Sequence, residues 1–172
     1  MAVYDAILFF VIISIASTII FTQSSYIVGG VEDQERQRMI EYTHDVKDVL
    51  LKSTIKTAWY KDSDGNRTNL ADNTIYDLIV EEFCLLNNGI EQENLTDGME
   101  NNINTTLRNL VETERHYLLY CTHTDGGSKL TISLSDGNYA IENLPLERYS
   151  SNWKSNMDVL PGEVDITLFI WK

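Results

Sequence analysis

The side chains in this 172-residue chain that could do chemistry are few: two cysteines, three histidines and one acid-rich turn. The turn, "DSDGN", puts Asp62, Asp64 and Asn66 at alternate positions, as the opening of a calcium loop would. Its glycine comes too early and no Glu stands at the twelfth position, so the oxygen ligand set is incomplete. His44, His116 and His123 have no evident nucleophile to serve. The chain contains no G-x-S-x-G, no P-loop and no H-E-x-x-H. His123 follows Cys121 by two residues, on the same face of a predicted strand, but two further zinc ligands are not evident. These residues predict no enzyme, no metal and no cofactor.

Cys84 falls on a predicted helix and Cys121 on a predicted strand, both among apolar neighbours. Two readings stand, a pair of buried free thiols or a disulfide that pins helix to sheet in an oxidising compartment. The disulfide is the expectation adopted for an extracellular domain, and the loop it closes would contribute roughly 3–4 kcal/mol. Three N-x-S/T sequons begin at Asn66, Asn94 and Asn104, all in polar stretches of the second part of the chain. They are candidate N-glycosylation sites, where a glycan would add bulk and solubility.

The elements that must position these groups are legible in part. "TIYDLIVEEFCLLNNG" puts Ile75, Leu78, Ile79, Phe83 and Leu86 on one helical face, with Asn88-Gly89 as the stop. "DGMENNINTTLRNLVETE" predicts a weaker helix with Ile103, Leu107, Leu110 and Val111 facing in. "RHYLLYCTHTDGGSKLTISLSDG" is two strands joined at Asp125-Gly126-Gly127. "NYAIENLPLERYSSNWKSNM" reads as irregular, with Trp153 as a plug. "GEVDITLFIWK" alternates Val164, Ile166, Leu168 and Ile170 on one side, the pattern of a closing strand.

Charge divides the chain sharply. Acids outnumber bases 26 to 13, a formal net charge of −13, which argues against nucleic acid as a partner. Asp5 is the only charged side chain before Glu32. From Ala6 to Val28 no side chain is charged, and a helix over that stretch would reach roughly 34 Å, a membrane-spanning length. Asp5 is either a helix cap or pairs with a free α-amine, its own at Met1 or that of a neighbouring copy. Gly29 and Gly30 would cost a helix about 2 kcal/mol together and mark a hinge. Beyond them Met39, Tyr42, Val46, Val49 and Leu50 recur at helical spacing, which predicts an amphipathic helix ending near Trp59.

An acid at position five, then an apolar run leading straight into an amphipathic helix, resembles the N-terminus of a mature type IV pilin. The acidic, Asn- and Thr-rich remainder and the closing "PGEVDITLFIW" are similar to archaeal type IV pilin-like proteins, those of methanogens especially. The resemblance is firm over residues 1 to about 60 and loose after that. The family usually has Glu where this chain has Asp5. Its precursors carry a short leader cut by a prepilin peptidase, so Met1 is either the first residue after cleavage or the initiator.

The resemblance implies an α+β chain: a long hydrophobic N-terminal helix followed by a small globular head with antiparallel strands. The helix would occupy 1–59, with 1–28 as membrane and filament-core segment and 31–59 amphipathic, and the extracellular head 60–172. The implied function is that of a structural subunit in a surface filament serving adhesion. Its partners would be copies of itself, paired through Met1 and Asp5, and the cytoplasmic membrane before assembly. The alternative is a single-pass anchored extracellular binding domain or a minor pilin-like assembly factor.

Overall fold

A computed structural model describes the backbone of residues 2–156 and 160–172, and the side chains of residues 13–20, 31–155 and 160–172. The chain divides into two compact units, Met1–Met39 and Ile40–Lys172. Helix α1 (Ala2–Lys52) belongs to the first and opens the second.

The expectation of a long hydrophobic N-terminal helix is corrected here. Among the described residues, no helix is long and apolar enough to cross a membrane. Within α1 the side chains described from Ile13 to Ile20 include the polar Ser14, Ser17 and Thr18 among the apolar ones. The Thr18 hydroxyl bonds back to the Ser14 carbonyl at 2.8 Å. From Glu32 onward the helix carries charge at Asp33, Glu35, Arg36 and Arg38. The fold is α+β, and the strands, all antiparallel, form two sheets.

Helix α1 also stops at Lys52, short of Trp59, so the boundary drawn between 59 and 60 falls inside a strand. Ser53 N–H closes the last turn onto the Leu50 carbonyl at 3.0 Å. The next residues, Thr54, Ile55, Thr57, Trp59 and Tyr60, are β-branched or aromatic and favour a pleated strand. They form β1 (Thr54–Lys61), paired with β2 (Arg67–Thr74) from Thr54↔Thr74 to Lys61↔Arg67. A helical stripe and a strand face share enough positions here that only the partner strand decides between them.

Thr74 ends β2 and caps α2 (Ile75–Asn87) in the same step. Its hydroxyl accepts the Asp77 N–H at 3.1 Å, and Asp77 accepts the Thr74 N–H in return, a capping box. Asn88 N–H reaches back to the Cys84 carbonyl at 3.1 Å, and Gly89 follows at φ +85. A single turn α3 (Glu93–Leu95), a π-helical turn (Thr96–Glu100) and α4 (Asn101–Leu110) come next.

The second sheet has the order β4-β3-β6-β5. β3 (His116–Asp125) and β4 (Ser128–Ser135) turn at Gly126 and Gly127, both at positive φ, as a two-residue hairpin of this hand requires. β6 (Glu163–Trp171) buries Val164, Ile166, Leu168 and Ile170 on one face. Tyr149–Asn156, expected to be irregular, is the edge strand β5, paired with β6 along its whole length. Its Ser and Asn residues carry no apolar alternation; backbone pairing to β6 is joined by Lys154 between Glu163 and Asp165 and by Asn152 donating to Thr167 Oγ1. The helix α2 buries Ile75, Leu78, Ile79 and Phe83, and Phe83 meets His123 of β3 ring to ring at 5.7 Å. The Tyr117 hydroxyl of β3 donates to Asn104 Oδ1 of α4 at 2.9 Å.

Candidate functional site

Three elements of the second unit converge on a pocket of about 480 Å³. The end of α1 supplies Asp48, Leu51 and Lys52, the start of α2 supplies Thr74 and Tyr76, and β5 supplies Trp153. The cap at Thr74 fixes the first turn of α2 and so places Tyr76. Trp153 is set by its register opposite Ile166. The two rings stand 4.7 Å apart at 74°, edge to face. Burial pushes the Tyr76 hydroxyl up in pKa, a hydrogen bond with the Ser155 side chain pulls it back, and the Asp77 charge raises it further.

Asp48 lies between two ammonium groups, Lys47 at 3.3 Å and Lys52 at 3.9 Å, with His44 Nδ1 at 3.5 Å. Lys47 is nearly fully buried, and its ammonium also donates to the Asn152 carbonyl at 3.2 Å, beside Trp153 in sequence. The pocket lining therefore joins an aromatic corner to one carboxylate, Asp48, and one ammonium, Lys52.

A second unusual arrangement lies inside the core. Glu82 of α2 is fully buried, and neither carboxylate oxygen accepts a hydrogen bond among the described residues. Burial raises its pKa to about 9, and the charge of Glu100 and a side-chain hydrogen bond to it add to the shift. Glu82 is therefore protonated at neutral pH. Glu100 ends the π-helical turn, and its Oε1 accepts the Gln92 side-chain amide at 2.8 Å. Gly98, within that turn, lets it press on the Trp59 carbonyl. Two carboxyl groups are not a metal site, and among the described residues no three His, Cys, Asp or Glu side chains gather as one.

Among the described residues, those singled out in the sequence do not come together. Met1 lies outside the described residues, as do the side chain of Asp5 and the surroundings of Gly29 and Gly30; the α1 backbone runs helically through the two glycines. The expected Cys84–Cys121 disulfide is not formed, and both thiols are free. Helical spacing gives a physical reason. Cys121 is buried close enough to Glu82 to feel its charge, and a residue two positions on lies about 200° around the helix. Cys84 thus faces away and is only half-buried. Burial pushes both thiols up in pKa, Cys121 the further.

His44 meets Asp48, His116 Nδ1 meets Asp136 at 2.9 Å, and His123 Nε2 donates to the Pro161 carbonyl at 2.8 Å. Asp62 is occupied by its own turn, accepting the N–H groups of Asp64 at 2.9 Å and Asn66 at 2.8 Å. Of the sequon residues, Asn66 is exposed, whereas Asn94 and Asn104 are half-buried in helices. Two features escaped the sequence reading. Position 82 sits on the apolar stripe of α2, a detectable signal. Nothing in the sequence pairs Tyr76 with Trp153.

No family model, curated protein or solved structure matches the chain.

Proposed function

We propose that this chain is a structural subunit of an archaeal type IV pilus-like surface filament, without catalysis and with copies of itself as principal partner. The observation that carries this reading is the apolar run from Val3 to Phe21, marked by Asp5 at its mouth and followed by a strongly acidic remainder. Its described members support the reading: Ile13, Ile15, Ile19 and Ile20 are 44–64% exposed in a single copy. Burying such side chains against another copy would gain about 1.5–3 kcal/mol each for full coverage. Around the helix Ile13 and Ile20 lie within about 20° of each other and Ile15 and Ile19 within about 40°, so two apolar patches are offered to neighbouring copies.

The experiment is direct. Surface material sheared from the source cells is imaged by negative stain and searched for this chain by mass spectrometry. Filaments composed of the chain, lost when Ile15 and Ile19 are both replaced by Asn, are the expected result. Recovery of the chain only as detergent-extracted monomer would reject the filament and favour an anchored binding domain.

A further inference from the structure

We propose that the pocket between Tyr76 and Trp153 binds a neutral pyranose sugar. The inference stands on the pocket alone and holds whether or not the chain polymerises. A volume of about 480 Å³ lies within the range of about 300–1,000 Å³ typical of small-molecule sites. The near-perpendicular rings of Tyr76 and Trp153, with Leu51, offer apolar surface in a corner. The ligand must therefore present an apolar face.

Charge then narrows the class. An anion would meet Asp48, in a chain whose net charge is −13. A cation would meet Lys52 on the lining and Lys47 beside it, which already pair with that carboxylate. A purely apolar ligand would strip water from Asp48 and Lys52 and give nothing back, at a cost of several kcal/mol. A pyranose meets every condition. Its C–H face packs on an aromatic ring, and its hydroxyls donate to Asp48 and accept from Lys52 without breaking their pairing. The Ser155 contact holds the Tyr76 ring in place, so little order has to be imposed on binding.

The test uses the full chain labelled with 5-fluorotryptophan, in micelles of octaethylene glycol monododecyl ether, a detergent without sugar. Fluorine resonances of Trp59, Trp153 and Trp171 are assigned by single Trp→Phe variants. Methyl glycosides of glucose, galactose, mannose and N-acetylglucosamine are titrated separately, with tetramethylammonium and acetate as ionic probes. The expected result is a saturable shift of the Trp153 resonance with at least one glycoside, while Trp59 and Trp171 stay still. Lys52 is 81% exposed, so Lys52→Ala should fold normally and weaken the binding about fivefold. Silence at Trp153 with all four glycosides up to about 100 mM, weaker than any useful site, overturns the proposal. So does a Trp153 shift produced by an ionic probe instead of a sugar, or unchanged affinity in Lys52→Ala.

Discussion

Glu82 of α2 and Glu100 of the π-helical turn are two buried acids set against one another, and of the two only Glu100 accepts a hydrogen bond from a neutral amide, that of Gln92. A fully buried carboxyl without a donor stays neutral because burying its charge would cost far more than keeping the proton. Glu82 thus makes the core of the second unit sensitive to pH from the inside.

The consequence is a loss of stability as pH rises. In the unfolded chain Glu82 titrates near 4.5, and in the fold near 9. Below pH 4.5 both states hold the proton and Glu82 exacts no penalty. Between those values only the folded state holds it, so stability falls by up to about 1.4 kcal/mol per pH unit. Urea midpoints of the parent and of Glu82→Gln, compared at pH 5.5 and 8, isolate this group from the rest of the acidic surface. The variant should lose less stability than the parent between the two. Equal losses would mean that Glu82 is already ionised in the fold.

The two thiols should react at very different rates. Cys84 is half-buried and Cys121 fully buried, and both have raised pKa values, so neither is a strong nucleophile at pH 7. Iodoacetamide followed by peptide mass spectrometry should label Cys84 slowly and Cys121 only after denaturation. Resistance of both to alkylation until a reductant is added would bring back the disulfide.

Gly98 should tolerate no side chain. A Cβ there would overlap the Trp59 carbonyl oxygen and carbon, which are backbone atoms of a paired strand and cannot swing aside. Gly98→Ala should therefore cost about 1–3 kcal/mol, read as a lower urea midpoint. A neutral result would show that the π-helical turn and β1 separate easily.

The capping box at Thr74 predicts a smaller and more local effect. Thr74→Ala removes the acceptor for the Asp77 N–H and should cost about 1 kcal/mol. Because that cap positions Tyr76, the Trp153 fluorine resonance should also move. A stability loss with an unchanged Trp153 signal would separate the cap from the pocket.

What the sequence determined by itself is whatever rests on local pattern. Helix α2 follows from the spacing of Ile75, Leu78, Ile79 and Phe83 and the Asn88-Gly89 stop, the hairpin from Gly126-Gly127, and β6 from strict alternation. Each needs only neighbours within a few residues. The tertiary structure alone decided what depends on distant partners. Thr54–Lys61 is a strand because Arg67–Thr74 pairs with it, against a helical stripe that continued on paper. Tyr149–Asn156 is a strand through pairing with β6, despite carrying no apolar rhythm of its own. Cys84 and Cys121 looked equally buried by composition, and only their placement relative to Glu82 turned one away from the other. The pocket is the furthest from the sequence: Asp48, Tyr76 and Trp153 come from three separate elements, and no local rule could bring them together.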